Sequence, residues 1–403
     1  MDAARLEHIR TWQHRYVDQR KYAGSSLLIN RNGKERYFHA AGQRNIVENL
    51  PFTRDTVARI YSMTKPVTSL ALMMLLERGL LHLDMPVSEF LPEFNGMRRL
   101  VDGATDITQT RSCRPPTLHE LLTHTSGLSY PFNPGVLSEE MSKTDLMFKP
   151  GQGPLAAQVL ELAALPLAFE PGQRWEYSVG IDVIGRVIEV VTGESLGAML
   201  KREIFDPLGM ERTGFHSLET TGNLLASLYS PLSGDAMALN DAQQGADSLR
   251  LIDSYDDTPF DTAEMHSGGG GLLSTIDDYM RFAELIRLRG ALGKDHLISP
   301  QIIDFMCQNH LPGDIASMGP QSFAEQPMDG MGFGLGGAVV LDPARARCPG
   351  SVGDFSWGGM ASTFFWVDPV LDLSVVFFTQ LAPSSSYPSR AELKALVHSA
   401  VTS

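Results

Sequence analysis

The chain has 403 residues, with 33 Lys and Arg against 47 Asp and Glu and a formal net charge of −14. That length predicts two or three domains or one large mixed fold, with a core that needs no disulfide or metal to hold it. The acidic balance argues against nucleic acid as the main partner, because phosphate binding needs a basic face. Cys113, Cys307 and Cys348 lie far apart with no CxxC pair, which fits reduced thiols in the cytosol. Met1–Arg20 is charged and helical in pattern, unlike a secretory signal. The strongest apolar helical run, Leu70–Leu76, is closed by Glu77 and Arg78, far short of the about 20 residues a membrane span needs. The expectation is a soluble cytoplasmic protein with no membrane segment.

In chain order, Ser25–Asn30 is an apolar, strand-compatible run, Asn32-Gly33 a hairpin turn, and Glu35–Ala40 the returning strand. Ser362–Val367, Asp368-Pro369 and Leu373–Thr379 make a second such pair near the other end. Between them, Leu155–Leu165, Ile181–Val191, Leu196–Phe205 and Ile276–Arg289 show helical spacing. Residues 216–262 have weak periodicity, which in so long a stretch points to a functional or mobile segment. The predicted fold class is therefore α/β. Residues 1–75 and 265–403 form one antiparallel sheet flanked by helices, and residues 76–264 a mostly helical inserted domain.

Two serines compete as nucleophile. Gly193-Glu194-Ser195-Leu196-Gly197 matches the GxSxG elbow, which requires a strand before the serine and a helix after it. Val183, Ile184, Val187, Ile188 and Val191 have helical spacing instead, so Thr192-Gly193 reads as a helix end and Ser195 as the next N-cap. Ser62-Met63-Thr64-Lys65 opens the apolar segment Val67–Leu76, which stops at Arg78-Gly79. Three apart on a helix, Ser62 and Lys65 would be neighbours at about 5–6 Å. The helix N-terminus favours developing negative charge, and burial moves a lysine toward use as a base. Standing alone, the motif fits a capping serine with a solvated lysine as well as a nucleophile with its base.

More of the chain bears on that choice. Ser62-Met63-Thr64-Lys65, Glu77-Arg78-Gly79 before Leu83-Asp84, His124-Thr125-Ser126-Gly127-Leu128, Phe169-Glu170-Pro171-Gly172 before Tyr177-Ser178, and Gly268–Ser274 follow one another in order. Through them the sequence resembles the class C-like branch of the serine β-lactamase and penicillin-binding-protein superfamily over most of its length. It is most similar there to the family VIII carboxylesterases, and also to fungal statin acyltransferases. The resemblance implies a class C β-lactamase-like fold, Ser62 as nucleophile, and Lys65 with Tyr177 as the proton-transfer pair. The family motif Tyr-x-Asn reads Tyr177-Ser178-Val179, so the orienting amide is missing. The place of Lys-Thr-Gly is taken by Trp357-Gly358-Gly359, which offers an apolar wall and one N–H in place of a carboxylate-binding ammonium. The N–H groups of Ser62 and Met360 would form the oxyanion hole.

Tyr130 and Phe132 are placed at the pocket mouth. Asp182 reads as a helix-start residue and His124 as a loop-shaping one. His119-Glu120 and His124 miss the HExxH spacing, and Gly268–Gly271 lacks the Lys-Ser/Thr of a phosphate loop. The implied activity is hydrolysis of neutral short- to medium-chain carboxylic esters, small molecules, through an acyl-serine intermediate. No metal or cofactor is expected, and the oligomeric state stays open. The alternatives are an acyltransferase of the same fold, a β-lactam or amide hydrolase, and a catalytically silent binding or scaffold relative.

Overall fold

The structure, a computed structural model, describes residues 1–216, 224–231, 249–262 and 264–402. Asn32 and Gly33 both take positive φ, 52° and 66°, and so turn strand β1 (Gly24–Arg31) into β2 (Lys34–Asn45). Paired positive φ is the geometry that makes Asn-Gly a hairpin signal. A short β3 (Leu50–Pro51) extends that edge. The remaining strands of the sheet come from the C-terminal third: β4 (Met331–Phe333), β5 (Ala338–Val340), β6 (Phe355–Gly358), β7 (Phe364–Asp368) and β8 (Leu373–Thr379). Among the described residues they form one antiparallel sheet in the order β4-β5-β6-β7-β8-β1-β2-β3. The two ends of the chain therefore meet at β1 and β8, where Leu28 lies opposite Val376.

Both faces of the sheet are covered, which is why its central strands read as continuous apolar runs. Leu27, Ile29, Phe364, Trp366, Val375 and Phe377 pack under helices α1 (Ala3–Asp18) and, at the other end of the chain, Ser389–Ser399. The alternate residues Leu28, Phe365, Val367, Val376 and Phe378 face the larger core. That core holds α2 (Thr64–Glu77), α3 (Gly180–Thr192) and α4 (Ile276–Arg287); the Ser389–Ser399 helix is α5. From Thr64 to Leu75 every residue of α2 is buried. No described helix is long and apolar enough to cross a membrane.

The predicted helices appear with small shifts. The segment predicted as one helix over Leu196–Phe205 is α-helical only over Leu196–Leu200 and continues as a wider π-type turn over Lys201–Phe205. Much of the 216–262 segment lies outside the described residues. Of the rest, Leu228–Pro231 pairs with Leu249–Asp253, and Pro259–Thr262 forms a 3₁₀ turn.

The helix–helix corner at Ser195 is as expected. Gly193 closes α3 at φ 71°, and Ser195 Oγ accepts the Ala198 N–H at 3.3 Å. Replacing Ser195 by Ala should lower unfolding stability by about 1 kcal/mol, the usual worth of an N-cap, and leave p-nitrophenyl ester turnover unchanged. Denaturant unfolding and an ester assay on the one variant check both; lost turnover with the fold intact would make Ser195 the nucleophile.

Candidate active site

The short strand Val57–Arg59 pairs antiparallel with Leu273–Thr275, and this ladder sets the site. It brings the chain just before α2 beside the chain just after Gly268–Gly271. The tie continues through Ile60 N–H to Leu272 O at 3.1 Å and Leu272 N–H to Thr64 Oγ1 at 3.1 Å. Ser62 does not open α2 as predicted. It sits in a 3₁₀ turn, Tyr61–Met63, and α2 begins at Thr64. Tyr61 has φ 41°, a left-handed conformation for a bulky residue, and this kink turns the chain into the helix. The Tyr279 hydroxyl of α4 donates to Met63 O at 2.8 Å and holds the turn from behind.

Lys65, fully buried, follows in the first turn of α2. Its Nζ donates to Gly269 O at 2.7 Å and Tyr130 OH at 3.0 Å, and lies 3.3 Å from Ser62 Oγ. It also stands 4.6 Å from the centre of the Tyr177 ring. Ser62, Lys65 and Tyr177 thus come together as predicted, but Tyr130 takes an unexpected place. It belongs at the lysine, inside the cavity, with Phe132 stacked on it at 4.8 Å. Burial, with Asp182 and Tyr177 nearby, drives the Tyr130 phenol well above its ordinary pKa, so it stays neutral.

Asp182 also has more than a helix-start role. It lies in the first turn of α3, buried, and its Oδ1 accepts the Ser267 hydroxyl at 2.5 Å and the Gly269 N–H at 2.9 Å. One residue, Gly269, therefore links Asp182 to Lys65, through its N–H on one side and its C=O on the other. A Cβ on Gly269 would stand 2.2 Å from Asp182 Oδ2, so only glycine allows this approach. Burial raises the Asp182 pKa, opposed by Lys65 and by the two hydrogen bonds.

His124 shapes its loop, at φ 58° and fully buried. Its Nδ1 accepts the Ser178 backbone N–H at 3.2 Å and fixes the residue after Tyr177. Burial, with Lys65 adding in the same direction, pushes the imidazole pKa well down and keeps it neutral. Asn133 Nδ2 donates to Tyr177 O at 2.8 Å and Ser129 Oγ at 3.1 Å, which ties the Tyr130 loop to the Tyr177 loop.

A cavity of about 360 Å³ opens at Ser62, and Trp357, Gly358, Gly359 and Met360 line it as expected. Trp357 lies 5.5 Å from Tyr177, and its Nε1 is buried without a hydrogen-bond partner among the described residues. Phe323, which the sequence reading missed, stacks on Trp357 at 6.0 Å and 9°. It is carried by the small hairpin Ser322–Phe323/Gln326–Pro327, whose turn holds Ala324 at φ 50°. Phe148, Phe260 and Ile252 add further apolar wall. Arg390 of α5 also reaches the cavity, a cation that the sequence did not place there. Its Nε lies 3.1 Å from Glu325 Oε1, a carboxyl that burial pushes up in pKa and Arg390 pulls back down. Among the described residues, the one grouping of three metal-ligating side chains is Asp354, Asp368 and His398, at the end of β6 away from Gly358.

Comparison with known proteins agrees with this geometry. Protein Rv1367c of Mycobacterium tuberculosis is 33% identical over 385 residues, covering 92% of this chain and 88% of that protein. Esterase EstB of Burkholderia gladioli is 32% identical over 379 residues, covering 90% and 87%. The solved structure of EstCE1, described as a hydrolase with promiscuous acyltransferase activity, superposes with a TM-score of 0.77 at 29% identity, covering 98% of this chain and 97% of that one. With residues 9–399 matching the family as a whole, the chain belongs to the Beta-lactamase family.

Proposed function

We propose that this protein is a serine esterase that hydrolyses neutral, apolar carboxylic esters through an acyl intermediate on Ser62. The observation that carries the reading is Lys65 Nζ, 3.3 Å from Ser62 Oγ and 4.6 Å from the Tyr177 ring, beneath an aromatic-walled cavity that Ser62 and Tyr177 line. Ser62 Oγ attacks the ester carbonyl carbon, and its proton passes to the Lys65–Tyr177 unit. The N–H groups of Ser62 and Met360 hold the developing oxyanion. The tetrahedral species collapses, the C–O bond to the alcohol breaks, and the same unit returns the proton to the leaving oxygen. Water, activated by the pair in the reverse sense, then releases the acid and frees Ser62. Tyr130 OH, 3.0 Å from Lys65 Nζ, supports the lysine from the other side.

The kinship with EstB supports ester hydrolysis, and the likeness to EstCE1 supports acyl transfer to an alcohol as a second outcome of the same intermediate. Trp357 supplies no charge for a substrate carboxylate, and Arg390 is already paired with Glu325. Neutral esters should therefore react better than anionic β-lactams, with kcat/KM as the measure because discrimination reflects transition-state binding.

Comparing p-nitrophenyl butyrate with a chromogenic cephalosporin under one set of conditions tests this. The butyrate should have the higher kcat/KM. Equal or better kcat/KM on the cephalosporin would overturn the esterase reading and point to Arg390 as the carboxylate holder. Product analysis with an added primary alcohol separates hydrolysis from transfer.

The proton path has its own test. Lys65→Ala and Tyr177→Phe should each lower kcat by about 10²–10⁴-fold, and the double variant should be scarcely worse than either, as expected of groups acting as a unit. Tyr130→Phe removes only a support for Lys65 and should be milder, by about tenfold. A severe Tyr130→Phe beside a near-normal Tyr177→Phe would exchange their roles.

A further inference from the structure

At the far end of the sheet, Asp354 just before β6, Asp368 at the end of β7 and His398 in the last turn of α5 converge. Both aspartates are fully buried, and the His398 side chain is 9% exposed. The other polar atom of each is already committed. Asp354 Oδ2 accepts Lys394 Nζ at 2.8 Å. Asp368 Oδ1 accepts the N–H groups of Val370 and Leu371, each at 3.0 Å. His398 Nδ1 lies 2.8 Å from Lys394 O, which can only accept, so Nδ1 carries a proton and a neutral ring turns its Nε2 lone pair inward. Asp354 Oδ1, Asp368 Oδ2 and His398 Nε2 are then left buried without a hydrogen-bond partner among the described residues. One ligand atom from each of the three side chains lies within 4.8 Å of the others.

Such a set is completed by a proton, on His398 or on a carboxyl, or by a cation. His398 Nε2 stands 3.5 Å from Asp368 Oδ2. A charge-assisted hydrogen bond between an imidazolium and a carboxylate would draw them to about 2.7–2.9 Å, and a proton there would still leave Asp354 Oδ1 unpaired. Tetrahedral zinc with bonds of about 2.0–2.1 Å sets neighbouring ligand atoms roughly 3.3 Å apart; the His398–Asp368 pair stands at 3.5 Å, and the whole set, within 4.8 Å, would draw in on binding. The backbone contacts to Asp368 and His398 are of the outer-shell kind that orient metal ligands.

We propose that Asp354, Asp368 and His398 form a structural site for one divalent transition-metal cation of the zinc class, with water completing the coordination. The site departs from the sequence expectation of no metal, since no short motif joins its ligands. It would pin α5 to β6 and β7. The same helix presents Arg390 to the catalytic cavity from its first turn, so the cation would brace the wall on which Trp357 sits.

Chelator-treated full-length protein titrated with zinc chloride, by calorimetry and thermal unfolding, tests the site. One saturable equivalent and a rise in Tm of about 3 °C or more are expected, with no rise from magnesium. His398→Gln and Asp354→Asn should weaken binding at least about tenfold. His39→Gln should not, although His39 and His14 face each other at 3.1 Å on the surface and could take zinc adventitiously. If the buried variants do not fold, X-ray absorption of the zinc-loaded wild type decides. One nitrogen and two carboxylate oxygens in the first shell support the site, and two or more imidazoles overturn it. No zinc-dependent rise in Tm, or the same rise in folded His398→Gln, also overturns it.

Discussion

The buried amino group of Lys65 is the constraint around which the catalytic half of the molecule is arranged. A polar group taken out of water must recover its lost hydration from fixed partners. Lys65 finds Gly269 O, Tyr130 OH and Ser62 Oγ. Each comes from a different part of the chain, and each needs support of its own. The Gly269 peptide is held by Asp182 from α3, the Tyr130 loop by Asn133 and Ser129, and the Ser62 turn by the Tyr279 hydroxyl. The all-round burial of α2 follows from the same need, since a helix wrapped by sheet and helices can hold a lysine rigidly under a cavity.

The cavity above is correspondingly asymmetric. Its floor is polar and fully bonded, and its walls are aromatic. Tyr177 touches both, with its ring over Lys65 on one side and against Trp357 and Phe323 on the other. An ester can place its carbonyl at Ser62 and bury apolar groups against these rings. A substrate carboxylate would have to compete with Glu325 for Arg390, at a loss of the ion pair already formed.

What the sequence revealed and what it hid follow from contact range. Asn32-Gly33 and Ser62-x-x-Lys65 are local signals, and the structure carries both, although Ser62 lies in a 3₁₀ turn rather than in the helix proper. The helical spacing before Ser195 was enough to set aside a false elbow. Tyr130 was noticed but misplaced, because its proximity to Lys65 depends on packing between loops distant in sequence. Phe323, Asp182 as the partner of Gly269, and Arg390 in the cavity had no local pattern to betray them. Asp182 in particular looks from its neighbours like any acidic residue in a first helical turn. Only the ladder between Val57–Arg59 and Leu273–Thr275 brings Gly269 to it and to Lys65 together.

The proposed mechanism requires Ser62, and no other serine, as the nucleophile. A fluorophosphonate probe reacts with a serine activated by a neighbouring base and leaves a mass tag at that residue. Intact-protein mass spectrometry followed by peptide mapping reads both stoichiometry and position. One tag per chain is expected, on Ser62, with loss of labelling in Lys65→Ala. A tag on Ser195 or elsewhere, or no labelling of folded protein, would contradict it.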